Sequence, residues 1–87
     1  MMKIVIKKSA QKELRNLNKG SRRQAERIIE AIYKISKNPY LKGAVQLTGF
    51  NEFRFRVGSY RILYTIDPNA NTISIVAIAH RREAYRF

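Results

Sequence analysis

Phe53-Arg54-Phe55-Arg56-Val57-Gly58-Ser59-Tyr60-Arg61-Ile62-Leu63-Tyr64 is the stretch on which the fold turns. Phe53, Phe55 and Val57 alternate with Arg54 and Arg56, the period of two expected of a strand with one buried face. Gly58-Ser59 follows as a two-residue loop, its glycine in the first central position, where a type II′ turn requires positive φ. That turn sets the register: Val57 faces Tyr60, Arg56 faces Arg61, Phe55 faces Ile62 and Arg54 faces Leu63. Two arginines thus oppose each other across the hairpin, and like charges so placed are destabilising. Kept without a nearby carboxylate, the pair implies an anionic partner.

Upstream of the hairpin, Lys3 to Lys7 alternates as a short strand with lysines guarding an edge. Ser9 is placed to cap a helix whose apolar stripe is Ala10, Leu14 and Leu17. Asn18-Lys19-Gly20 ends it, and Ser21 with Gln24 matches a capping box for a second helix. There Ala25, Ile28, Ile29, Ile32 and Ile35 mark an apolar face, and Asn38-Pro39 stops the helix after Lys37. Residues 40–51 read as a loop with a short bridge at Val45-Gln46-Leu47. Tyr33, Tyr60 and Tyr64 read as core or half-buried aromatics.

Downstream, a strand from Tyr60 to Asp67 is followed by the turn Pro68-Asn69-Ala70-Asn71 and a last strand from Thr72 to His80. With that turn, Asp67 faces Thr72, Tyr64 faces Ile75, Ile62 faces Ala77 and Arg61 faces Ile78. Phe53, Phe55, Ile62, Tyr64, Ile66, Ile73, Ile75 and Ala77 then share the helix-covered face. Arg54, Arg56, Arg61, Leu63, Val76, Ile78 and His80 share the other, on condition that the register does not slip. The expected fold is a single α+β domain over residues 1–87: a two-helix hairpin on one face of a small antiparallel-rich four-stranded sheet, in the order β-α-α-β-β-β.

Eighteen lysines and arginines against six carboxylates give a net charge of +12 on 87 residues. So large an excess costs stability through self-repulsion and points to a polyanion. Nucleic acid is favoured over a membrane surface: no segment approaches the roughly 20 apolar residues of a membrane span. The short apolar run near Met1 lacks the form of a signal peptide, so a cytoplasmic location is expected. There is no cysteine and one histidine, so neither a metal site nor a cofactor is expected. Phosphate-binding loops, dinucleotide fingerprints and nucleophile triads are absent.

Arg54, Arg56, Arg61, His80, Arg81, Arg82 and Tyr85 form the candidate site, and two readings of it stand. One is a solvated basic face that holds nucleic-acid backbone without chemistry. The other is a phosphodiester-cleaving site. Attack by an RNA 2′-OH needs a base, cations for the charge on the transition state, and an acid for the 5′-oxygen. Arginine grips two phosphate oxygens with one fork. Histidine is the side chain suited to acid or base work near neutrality, which makes His80 a candidate, and Tyr85 is a base only beside cations, which Arg81, Arg82 and Arg86 supply in sequence. Glu52 and Glu83 read as charges offsetting neighbouring arginines, and Lys7, Lys8, Lys12, Arg15 and Lys19 as an ordinary solvated face.

Residues 55–67 (FRVGSYRILYTID) with 75–86 (IVAIAHRREAYR) resemble the signature of RelE-type toxins of type II toxin–antitoxin pairs, in the RelE/ParE superfamily. The resemblance covers nearly the whole chain in element order. It implies a metal-independent endoribonuclease that cuts mRNA in the ribosomal A site, in contact with 16S rRNA, and is neutralised by an acidic RelB-like antitoxin in a heterotetrameric complex. It also implies roles. Arg54 and Arg56, with Arg82, bind RNA; Arg61 stabilises the transition state; Arg81 assists the phosphate and leaving group; Tyr85 orients or activates the reacting groups. Where some members carry lysine before that second arginine, this chain has His80, so acid–base work falls to His80 or Tyr85. ParE-type toxins share the fold and inhibit DNA gyrase instead, so fold alone leaves the target open.

Overall fold

Strands β1 (Lys3–Ile6), β2 (Val45–Gln46), β3 (Glu52–Val57), β4 (Tyr60–Asp67) and β5 (Thr72–His80) and helices α1 (Lys8–Gly20) and α2 (Arg22–Lys37) follow one another as β1-α1-α2-β2-β3-β4-β5. The computed structural model describes residues 1–47 and 51–80. The strands form one sheet in the order β1-β5-β4-β3-β2. Only β1 runs parallel to its neighbour, pairing Lys3 with Thr72 and Ile6 with Ile75. The expected four strands become five because Val45 and Gln46 pair with Arg54 and Phe53.

Helix α2 begins where the capping residues place it: the Gln24 amide donates to Ser21 Oγ at 3.3 Å. Ser9 behaves otherwise. Helix α1 starts at Lys8 without a side-chain cap, and Ser9 Oγ donates to the Val76 carbonyl at 2.8 Å, tying the helix to the last strand. Ile28, Ala31, Ile32 and Ile35 of α2 and Ala10 of α1 meet Phe53, Ile62, Tyr64, Ile66, Ile73, Ile75 and Ile78 of the sheet in one core. Two sequence expectations fail on α2: Ile29 is 55 % exposed and Tyr33 49 %. Both lie on the flank of the buried stripe, where the helix turns away from the sheet, and Lys37 Nζ sits 4.7 Å from the centroid of the Tyr33 ring.

The β3–β4 hairpin has the expected register at every pair, including Arg56 with Arg61. Gly58 has φ +59° and Ser59 is not among the positive-φ residues, the combination of a type II′ turn. The β4–β5 ladder starts as expected, with Asp67 on Thr72 and Tyr64 on Ile75, and then shifts: Leu63 pairs with Ala77, Ile62 with Ile78 and Arg61 with Ala79. Val76 has no partner in β4 or β1, so β5 carries a bulge of one residue. Past it the face assignments invert. Ile78 enters the core, whereas Ala77 and Ala79 line up with Leu63 and Arg61.

Tyr64 is the largest fully buried side chain among the described residues. Its hydroxyl donates to the Pro39 carbonyl at 2.8 Å and its ring stacks on Phe53 with centroids 5.6 Å apart. Burial first, and the neighbouring Tyr40 second, push its phenol up to about 12. A raised phenol stabilises the fold fully below the unfolded pKa near 10 and loses that contribution as pH climbs through about 12. Tyr64→Phe is therefore expected to cost about 1 kcal/mol at neutral pH through the lost hydrogen bond, and the gap from the parent should close between pH 10 and 12. Denaturant unfolding of both proteins across that range checks it.

Candidate nucleic-acid interface

On the sheet face away from the helices, the ladders align two rows of residues. Val45, Arg54, Leu63 and Ala77 form one, across β2, β3, β4 and β5; Arg56, Arg61 and Ala79 form the next. Successive rows on one face lie about 7 Å apart and directly opposed residues about 5 Å apart. Three guanidiniums thus start from one small area, carried by adjacent strands whose spacing the two-residue turn fixes.

The three differ in environment. Arg56 is exposed and Arg54 half-buried, its stem flanked by Val45 and Leu63, so that its charged end reaches outward past apolar neighbours. Arg61 is 4 % exposed and engaged by a partner. A buried guanidinium is retained only with such compensation.

His80 departs from expectation. The bulge at Val76 carries it opposite Tyr60 rather than onto the arginine face, and its ring meets Tyr60 edge-on at 5.3 Å between centroids. It lies on the Ile78 side of the strand. Arg81, Arg82 and Tyr85 lie outside the described residues. Sequence reading also passed over Arg27 and Lys34, which share a cleft with Arg56; each sits one helical flank away from the apolar stripe, a spacing that helical periodicity exposes once α2 is laid beside the hairpin.

Two helices on one face of a sheet of order β1-β5-β4-β3-β2 make the RelE-like architecture, and solved structures share it. The chain is similar to the toxin–antitoxin complex RelBE2 of Mycobacterium tuberculosis, at 25% identity over 92% of this chain and 98% of that one, with a TM-score of 0.75. It shares its fold with the YoeB/ParE toxin of Agrobacterium tumefaciens (18% identity, 91% and 98% covered, TM-score 0.81) and with the isolated RelE toxin of E. coli (19%, 99% and 93%, TM-score 0.78). No curated protein matches it. The family model of the ParE toxin of type II toxin–antitoxin systems, parDE, matches residues 4–85, and the chain belongs to that family. It is a toxin of a type II toxin–antitoxin system.

Proposed function

We propose that this toxin is a ribosome-dependent, metal-independent endoribonuclease that cleaves mRNA in the A site, against the 16S rRNA. The observation that carries the reading is the opposition of Arg56 and Arg61 with Arg54 one row away on the same sheet face. Arg54 and Arg56, joined by Arg82, hold the RNA backbone, and Arg61 faces the scissile phosphate. The 2′-oxygen attacks phosphorus and the bond to the 5′-oxygen breaks, leaving a 2′,3′-cyclic phosphate and a 5′-hydroxyl. The proton lost by the 2′-hydroxyl is balanced by one gained at the 5′-oxygen. Arg61 and Arg81 offset the charge of the transition state, and Tyr85 handles or orients the protons. His80, the other candidate for that task, starts from the Tyr60 side of β5 and reaches the phosphate only around the strand end. So weak an acid–base set fits a reaction in which the ribosome holds the message for in-line attack, a contribution of several kcal/mol.

A phosphate reaches a side chain 4 % exposed only once the surface over it opens, so RNA binding includes a local rearrangement at Arg61. Neutralisation falls to an acidic RelB-like antitoxin in a heterotetramer. Support comes from the relatives, which include the E. coli RelBE complex and a heterotetrameric YoeB–YefM complex of Staphylococcus aureus, and from the charge of +12, which suits an acidic segment that folds as it binds.

The second reading, inhibition of DNA gyrase without nuclease activity, is favoured by the family model, whose description is that of the ParE toxin. Brief induction followed by mapping of RNA 5′ ends on ribosomes separates the two. Nuclease action is expected to give new message ends within the A-site codon; intact messages with accumulated DNA breaks would establish the gyrase reading instead.

A further inference from the structure

On the helix side of the β3–β4 turn, Arg27 and Lys34 of α2 and Arg56 of β3 border a cleft of about 260 Å³, with Phe55, Val57 and Gly58 along its opposite wall. None of the three cations makes an ion pair among the described residues, where the recorded pair is Arg22 with Glu26. Among the described residues Glu30 is the one carboxylate on the cleft, so the described lining carries a surplus of two positive charges. The Arg27 fork is drawn over the turn: a Cβ added at Gly58 would lie 3.7 Å from Nη1 and 3.8 Å from Nη2. Arg56 belongs to both places, since it is cross-strand partner to Arg61 on the outer face and also borders this cleft. It can do so because β2 pairs only with Phe53 and Arg54, leaving the edge of β3 beyond Arg54 without a strand partner among the described residues.

We propose that this cleft is a second phosphate subsite, one that receives the RNA backbone as it leaves the arginine face and bends around the open edge of β3 at Arg56. The ligand class rests on the nucleic-acid reading above; the subsite is independent of whether the RNA is cut. Arg27 and Lys34 supply a fork and a point charge for successive phosphates. An acidic polypeptide is the rival occupant, and the cleft suits it poorly. A folding peptide needs exposed apolar anchors, whereas Phe55 and Val57 are already packed against the core. The exposed apolar residues of α2, Ile29 and Tyr33, stand on the opposite flank of its buried stripe.

The test is equilibrium binding of a fluorescent 2′-O-methyl oligoribonucleotide, which cannot be cleaved, by the full chain over a series of salt concentrations. R27A/K34A is expected to bind about tenfold more weakly at low salt and to lower the slope of log K against log[salt] by about 1.4, the value for two phosphates of a single strand. K12A/K19A removes the same charge from the exposed face of α1 and should change the affinity less than threefold, with both variants matching the parent in circular dichroism. Equal losses in the two double variants would overturn the subsite, reducing it to net charge. So would weakened binding of poly-glutamate by R27A/K34A with RNA binding unchanged, which would give the cleft to an acidic protein. Because the probe is not a substrate, failure of the nuclease reading shows only in the ribosome experiment.

Discussion

Arg61→Ala and Arg61→Lys should both abolish growth arrest upon induction, with message cleavage on ribosomes reduced at least about a hundredfold, the loss typical of removing one preorganised group that stabilises transition-state charge. Lysine is the sharper variant. It keeps the positive charge and most of the buried stem but replaces a planar fork with a point charge, so a site needing two phosphate oxygens held at once does not survive the exchange. It also answers the structural objection. Arg61 is buried and partnered, and truncation to alanine leaves both a void and an abandoned partner. Thermal melts of the two variants separate loss of fold from loss of chemistry. If Arg61→Lys is folded and remains as toxic as the parent, Arg61 does not face the scissile phosphate.

The second large effect tests the bulge. Ile78 is 2 % exposed, whereas Val76 is 37 % exposed. Ile78→Ala is expected to destabilise the protein by about 2–5 kcal/mol, as truncation of a packed isoleucine does. That is a large share of the 5–15 kcal/mol available to a small domain, and it lowers the thermal midpoint by about 10 °C or more. Val76→Ala should stay near 0.5 kcal/mol. Unbroken alternation along β5 puts both residues on one face and predicts similar costs for the two, so comparing their denaturant midpoints decides between the registers.

The residues explain why the hairpin was legible in the sequence and the end of β5 was not. In the hairpin, arginines alternate with rings and a glycine supplies the one positive φ, so pattern and turn chemistry agree on a single register. From Ile75 to Ala79 every residue is apolar. Such a run satisfies a straight ladder and a bulged one equally, because no polar side chain marks which face is wet. The bulge follows from tertiary packing, which draws both Ile75 and Ile78 into the core, while Ser9 takes up the carbonyl of Val76. Ser9 was misread as a cap for the same reason: its acceptor lies 67 positions away in the chain. Of the site, Arg54, Arg56 and Arg61 share a face as the alternation predicts, and His80 does not, because it lies beyond the bulge. From within α2, Arg27 and Lys34 are only cations outside the apolar stripe; their meaning comes from the turn that folds against them.

The parallel pairing of β1 with β5 joins Lys3 to Thr72 and Ile6 to Ile75, the first described strand to the last. Contacts so distant along the chain carry a high loop-closure entropy and form late. The helix hairpin and the β3–β4 hairpin are local and can take shape during synthesis. The sheet cannot close until β5 is made, because β5 lies between β1 and β4 and β1 waits for it throughout. A nascent chain stopped short of β5 lacks both the centre of the core and the backbone against which Arg61 is held. The toxin fold is therefore complete only when β5 has joined β1 to β4.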